Sequence, residues 1–354
     1  MSAKRENLII SACQNDHNEL TPMRRGTIVK YQSSIIILVL CLSLLTACGD
    51  NNKLENEISN PTQTETENPT LDDQIVYSNT EEMLIETELQ EEKTGVASKE
   101  DEQLINEAGM TLESRISVPS GYQRTEVEEG SLGDFLHQYP MKAYGSKVHL
   151  FDGSEKYNQS AHISVFDLPI ENYDLQQCAD SVIRMYAEYF WNTKQYDRIA
   201  FHYTSGFLAE YPKWREGNRI KVDGNTVKWV KSAGYDDSYE CFVEYLKNVF
   251  SYAGTLSMYC DEAVEIPLGE AKAGDVFLYG GSPGHVVMIV DVCENEDGEK
   301  AFLLAQGYMP AQEFHLLINE THLEDPWYYE NEISYSFSTP EYTFQEGSLK
   351  TLLY

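Results

Sequence analysis

The sequence predicts an α+β fold for its C-terminal two-thirds, and three observations carry that reading. Residues 175–191 and 238–250 place apolar side chains at helical spacing. Residues 274–291 form two short apolar runs around Gly280-Gly281-Ser282-Pro283-Gly284, the signature of a strand, a tight turn and a second strand. Residues 199–230 alternate Phe, Tyr, Val and Trp with polar residues around Gly206, Gly217 and Gly224, as β-hairpins do.

Taken in order, the first 22 residues carry no pattern. Met23-Arg24-Arg25 and Lys30 then supply a basic head to an apolar run from Ile35 to Leu45, which is too short to span a bilayer. Because export signals begin with their basic residues, Met23 reads as the translation start. The run ends in Leu45-Thr46-Ala47-Cys48, which resembles a bacterial lipobox. That resemblance implies cleavage before Cys48, lipidation of its thiol, and a protein tethered to the extracytoplasmic side of the cell membrane. Residues 1–47 are thus assigned to the signal region.

Residues 49–107 hold 17 Asp and Glu against three Lys, a net charge of −14, with few large apolar side chains. Such a segment buries too little surface to offset its ordering entropy, so residues 48–112 are expected to be a disordered acidic tether. A flexible chain of this length reaches roughly 40–45 Å. The globular domain is expected over residues 113–354, a length that suits one substantial core. Residues 108–354 carry a net charge of −20, which argues against nucleic acid and against anionic lipid surfaces as partners.

Within the domain, residues 139–153 read as loop, strand and turn, and residues 161–168 as a strand. Asp174 is placed to cap the first long helix, with Gln177 three positions on as reciprocal partner. The second helix sets Phe242, Tyr245, Leu246 and Val249 on one face. In the strand after the Gly-Gly-Ser-Pro-Gly turn, Val286 to Val290 are continuously apolar, as expected for a strand covered on both faces. Asp297-Gly298 makes a charged turn, followed by strands at residues 301–306 and 313–318.

Four cysteines lie in the domain: Cys178, Cys241, Cys260 and Cys293. They offer two disulfides in an exported protein, or a reactive thiol. Cys178 falls in the first turn of the first helix, where unpaired N–H groups and the helix dipole favour a thiolate. It also shares a helical face with Val182, Met185 and Tyr189, which fits a core cysteine equally. His285 opens a strand at a turn, a position suited either to general acid–base work or to bonding the turn. Gln306 ends the next strand and Asp291 ends the histidine strand; each is a candidate to orient the imidazole. His149, His162 and His285 offer a three-histidine metal site, but they lack local ligand spacing. Trp214, Trp229 and the Trp327-Tyr328-Tyr329 group offer flat faces for a sugar or peptide, or for packing.

The order of helix-borne Cys178, His285 opening a strand and Gln306 on the next strand, with Ala273-Gly274-Asp275-Val276-Phe277 before them, resembles the papain-like cysteine hydrolases of the NlpC/P60 and CHAP groups. The resemblance implies a papain-like core, a cysteine-bearing helix packed on an antiparallel sheet, here with a β-rich insertion between cysteine and histidine. It implies Cys178 as nucleophile, His285 as base and Gln306 as orienting group, and an amidase or peptidase acting on peptidoglycan or envelope peptides without a cofactor. Around the nucleophile those enzymes show Asp-Cys-Ser-Gly, where this chain has Gln177-Cys178-Ala179-Asp180. Longer phrases are similar to those of domain of unknown function 4846, a family of bacterial secreted and lipid-anchored proteins. They are residues 139–153, residues 174–180, Gly280-Gly281-Ser282-Pro283-Gly284-His285, and residues 303–312. That family brings no established activity, and a non-catalytic binding or scaffold lipoprotein of the same fold is the alternative.

Overall fold

The computed structural model describes residues 103–354 apart from residue 225. The predicted signal, Cys48 and nearly all of the expected tether lie outside the described residues. The folded part starts ahead of 113: Leu104 is buried in the main core, and Ile105 bridges Ile116. The acidic residues around position 100 hide this short apolar anchor in a composition average.

The chain forms a mixed α+β domain. Short helix α1 (Leu112–Arg115), strand β1 (Tyr122–Arg124) and helix α2 (Leu132–His137) lead into β2 (His162–Val165) and the long helix α3 (Cys178–Asn192). Two hairpins follow, β3 (Ala200–His202) with β4 (Leu208–Glu210), and β5 (Asn218–Asp223) with β6 (Thr226–Lys231), around helix α4 (Tyr211–Arg215). This is the expected β-rich stretch between cysteine and histidine. Helix α5 (Tyr239–Phe250) is capped by Ser238, whose hydroxyl accepts from the Cys241 N–H at 3.2 Å.

The remaining strands are β7 (Ala263–Glu265), β8 (Val276–Tyr279), β9 (His285–Asn295), β10 (Lys300–Gln306), β11 (His315–Leu317), β12 (Tyr328–Tyr329), β13 (Phe337–Thr339), β14 (Tyr342–Phe344) and β15 (Leu349–Leu352). One antiparallel sheet has the order β2-β11-β10-β9-β8-β15-β7, with β1 added to β9 and β12 to β10. Its two faces bury different cores, as the unbroken apolar run in β9 requires. Val286, Met288 and Val290 pack with α3, whereas Val287 and Ile289 pack with Phe337 and Phe344 of the β13–β14 hairpin.

Three local expectations are corrected. Residues 139–153 hold isolated bridges rather than a strand, Leu150 pairing with Gln312 and Met141 with Phe166. Helix α3 begins at Cys178 with Gln177 at its cap, not at Asp174, because residues 173–177 close successive tight turns. Asp174 instead accepts from the Ala311 N–H at 2.7 Å and the Gln177 amide at 3.1 Å, and Asp180 takes the Gln177 N–H. The pairing of four thiols into two disulfides is also excluded, since Cys178, Cys241 and Cys293 are free and buried.

Trp327 is fully buried and donates its indole N–H to the Ser117 carbonyl at 2.9 Å, so it serves packing. Trp214 is buried beside Tyr245, with the Arg219 guanidinium over its ring. Among the described residues no helix is long and apolar enough to cross a membrane.

Candidate active site

The N-terminus of α3 meets the sheet where β9 begins and β10 ends. Gly307 is the point of closest approach: a Cβ there would lie 2.2 Å from the Ser181 hydroxyl and 3.2 Å from the Gln177 carbonyl. Only glycine lets strand and helix close to this distance. On the facing turn, a Cβ at Gly284 would lie 2.1 Å from the Thr255 hydroxyl and 2.7 Å from two carbonyl oxygens. The backbone entering His285 is held by that contact.

His285 and Gln306 meet as the strand order suggests. The ring Nε2 lies 2.7 Å from Gln306 Oε1, with both residues buried. Around the ring stand Tyr308 and Tyr342, each with centroids 4.9 Å away, and Phe344 stacked at 6.1 Å. Burial pushes the imidazole down to about 4, against the hydrogen bond it donates to Gln306, and Lys156 adds to the depression.

Cys178 occupies the first helical position of α3 and is 6% exposed. Burial, then the Asp180 carboxyl, push its thiol up to about 12; backbone N–H groups of Ala179, Val286 and Cys178 itself pull the other way. The sulfur therefore faces the strand at Val286, the residue after His285, and its charge is felt by Tyr308 and Tyr342, the two rings beside the imidazole. No hydrogen bond joins the Cys178 sulfur to the His285 ring among the described residues. Strand alternation explains this: Val286 faces the α3 side, while the His285 ring leans toward Phe344 on the other.

With the thiol near 12 and the imidazole near 4, proton transfer between them in the resting site is uphill by on the order of 10 kcal/mol, before the attraction of the two charges. The resting pair is thiol and neutral imidazole.

Beyond Gln306 lies a polar chain that the sequence did not reveal. The Gln306 amide nitrogen donates to Glu341 Oε2 at 2.6 Å. Glu341 also takes the Lys156 ammonium at 2.5 Å and the Asn158 amide at 3.3 Å. Lys156 in turn donates to His315 Nε2 at 3.1 Å, and His315 Nδ1 donates to the Glu313 carbonyl at 2.8 Å. Burial, followed by Lys156, holds the His315 imidazole well below its usual range.

The alternative roles separate. Asp291 does not orient His285; its buried carboxylate pairs with Arg124 at 2.7 Å and His137 at 2.8 Å, tying β1 and α2 to β9. The three histidines do not converge on a metal site. His149 pairs with Glu313, His162 bonds the Ser146 carbonyl at 3.0 Å, and His285 is taken by Gln306. Among the described residues no cluster of three or more His, Cys, Asp or Glu could hold a metal ion.

The depressed imidazole gives a pH prediction. In the unfolded chain a histidine titrates near 6.5, so between pH 6.5 and 4 the unfolded state binds the extra proton. The contribution of His285 to stability is thus complete above pH 6.5 and lost as pH falls to 4, about 3 kcal/mol in all. Urea unfolding at pH 7, 5.5 and 4 is expected to show a shallower acid loss in His285→Gln than in the native chain. Equal losses would contradict the neutral, buried imidazole.

The family model of domain of unknown function 4846 matches residues 112–351, nearly the whole described domain. No curated protein and no solved structure matches the chain. The chain belongs to the domain of unknown function 4846 family.

Proposed function

We propose that this member of the family is a lipid-anchored, papain-like cysteine amidase or peptidase acting on peptidoglycan or envelope peptides at the extracytoplasmic face of the cell membrane. The observation that carries the reading is the 2.7 Å bond from His285 to Gln306 at the strand ends against which the α3 terminus bearing Cys178 is packed. With Nε2–H committed to Gln306, the ring keeps Nδ1 as its basic nitrogen. Cys178 attacks the substrate carbonyl as its proton passes to Nδ1, and backbone N–H groups near the sulfur take the developing oxyanion. The imidazolium then protonates the leaving amine, and water, deprotonated by the same ring, cleaves the thioester. Because the resting pair is neutral, the proton leaves during attack rather than beforehand, which requires the ring to move from its Phe344 side to within reach of the sulfur. The lipobox at Cys48 supports the address, and the acidic tether supports reach away from the lipid.

The test is incubation of the full chain with purified peptidoglycan and with envelope peptides, following newly released amino groups. Release by the native chain and none by Cys178→Ala is the expected result. No release from either substrate would count against the hydrolase.

A second reading, a non-catalytic binding or scaffold module, is favoured by one observation: Cys178 and His285 are both buried, without a hydrogen bond between them. Binding of the same substrates with equal affinity by the native chain and Cys178→Ala, without amine release, would select it.

A further inference from the structure

We propose that Glu341 is a positioning residue for the candidate active site: its carboxylate fixes the orientation of the Gln306 amide and, through it, the tautomer of His285. The inference rests on the reading of His285 as the base, and it assigns a role to the β13–β14 hairpin that neither the family nor the sequence pattern supplies. Pro340 and Glu341 lie between β13 and β14, so this turn delivers the carboxylate to the end of β10.

A carboxylate can only accept, and Glu341 is held beside the Lys156 ammonium. The Gln306 amide nitrogen lies 2.6 Å from Glu341 Oε2 and 3.5 Å from His315 Nε2. That ring nitrogen also only accepts, because His315 Nδ1–H is spent on the Glu313 carbonyl and Lys156 donates to Nε2. Turning the amide over would set its oxygen against two acceptors. The NH2 end therefore faces Glu341, and Oε1 faces His285. An oxygen there accepts, so His285 must carry its proton on Nε2 and leave Nδ1 as a lone pair. Without Glu341, only the longer 3.5 Å contact to His315 Nε2 opposes turning the amide over, and the base nitrogen is less firmly specified.

Two-bond 1H–15N correlation spectra of the full chain at neutral pH, with labelled histidine and the His285 signals assigned through His285→Gln, read the tautomer directly. In the native chain His285 is expected as the Nε2–H form. In Glu341→Leu, which removes the accepting oxygen and leaves only the longer contact to His315 Nε2, the Nε2–H share is expected to fall below its native value. In the double variant Glu341→Leu with Gln306→Glu, a carboxylate faces the ring and the proton returns to Nε2. An unchanged Nε2–H form in Glu341→Leu overturns the assignment, as does failure of the double variant to restore it. The spectra do not depend on sulfur reactivity, so an inert Cys178 would strike the hydrolase reading while leaving the Glu341 result standing.

Discussion

Replacing His285 with alanine is expected to lower Cys178-dependent amine release by about 10²–10⁴-fold, the usual contribution of a positioned general base. The size follows from the thiol. Held near 12 by burial and by Asp180, it supplies almost no thiolate at neutral pH, so attack depends on a base that removes the proton as the bond forms. The loss should fall on kcat rather than KM, because the ring holds a proton and not the substrate. Progress curves at saturating peptide check this. A His285→Ala chain that retains more than a tenth of native kcat would place the base elsewhere.

Asp291→Ala is expected to destabilise the domain by about 3–5 kcal/mol, the cost of breaking a buried ion pair from one side. Its carboxylate is fully buried and accepts from Arg124, His137 and the Val292 N–H. Arg124 also donates to the Ile116 carbonyl at 2.7 Å, so one carboxylate ties β1, α2 and the segment after α1 to β9. Removing it leaves the Arg124 guanidinium with only the Ile116 carbonyl, and takes the carboxylate from the buried His137 ring. Urea midpoints of native and variant chains at pH 7 measure the loss. A shift worth under about 1 kcal/mol would mean that the pair acts as a surface contact does.

These two residues show what the sequence could and could not tell. His285 and Gln306 were legible because one opens a strand and the other closes the next, in a chain segment where successive strands pair, so neighbourhood in sequence became neighbourhood in space. Asp291 ends no strand, since β9 runs on to Asn295, and its partners lie more than 150 residues upstream, where no local pattern joins them. Lys156, His315 and Glu341 escaped for the same reason. Each looks like an ordinary polar residue until register brings β11 and the hairpin turn to the end of β10.

The two long helices, α3 and α5, were legible from spacing alone, whereas the short α1, α2 and α4 were not. The start of α3 was misjudged because Asp174 has the chemistry of a cap, yet its carboxylate goes to the Ala311 N–H of a distant loop. The later start puts Cys178 at the first helical position, nearer the positive end of the dipole than the sequence suggested. Burial then outweighs the dipole, because desolvation of a sulfur anion is the larger effect. Spacing could not reveal that outcome, since exposure depends on what covers the helix tip.

The most direct measurement of the nucleophile is the iodoacetamide labelling rate of the free thiols across a pH series, resolved by peptide mass spectrometry. Cys178 and Cys241 are 6% and 5% exposed, and the comparison of Cys178 between the native chain and His285→Ala separates chemistry from access. With His285 as base, Cys178 is expected to label faster than both Cys241 and Cys293 at neutral pH, and His285→Ala is expected to erase the difference. Equal rates for the three thiols, rising together only in alkali, would contradict it.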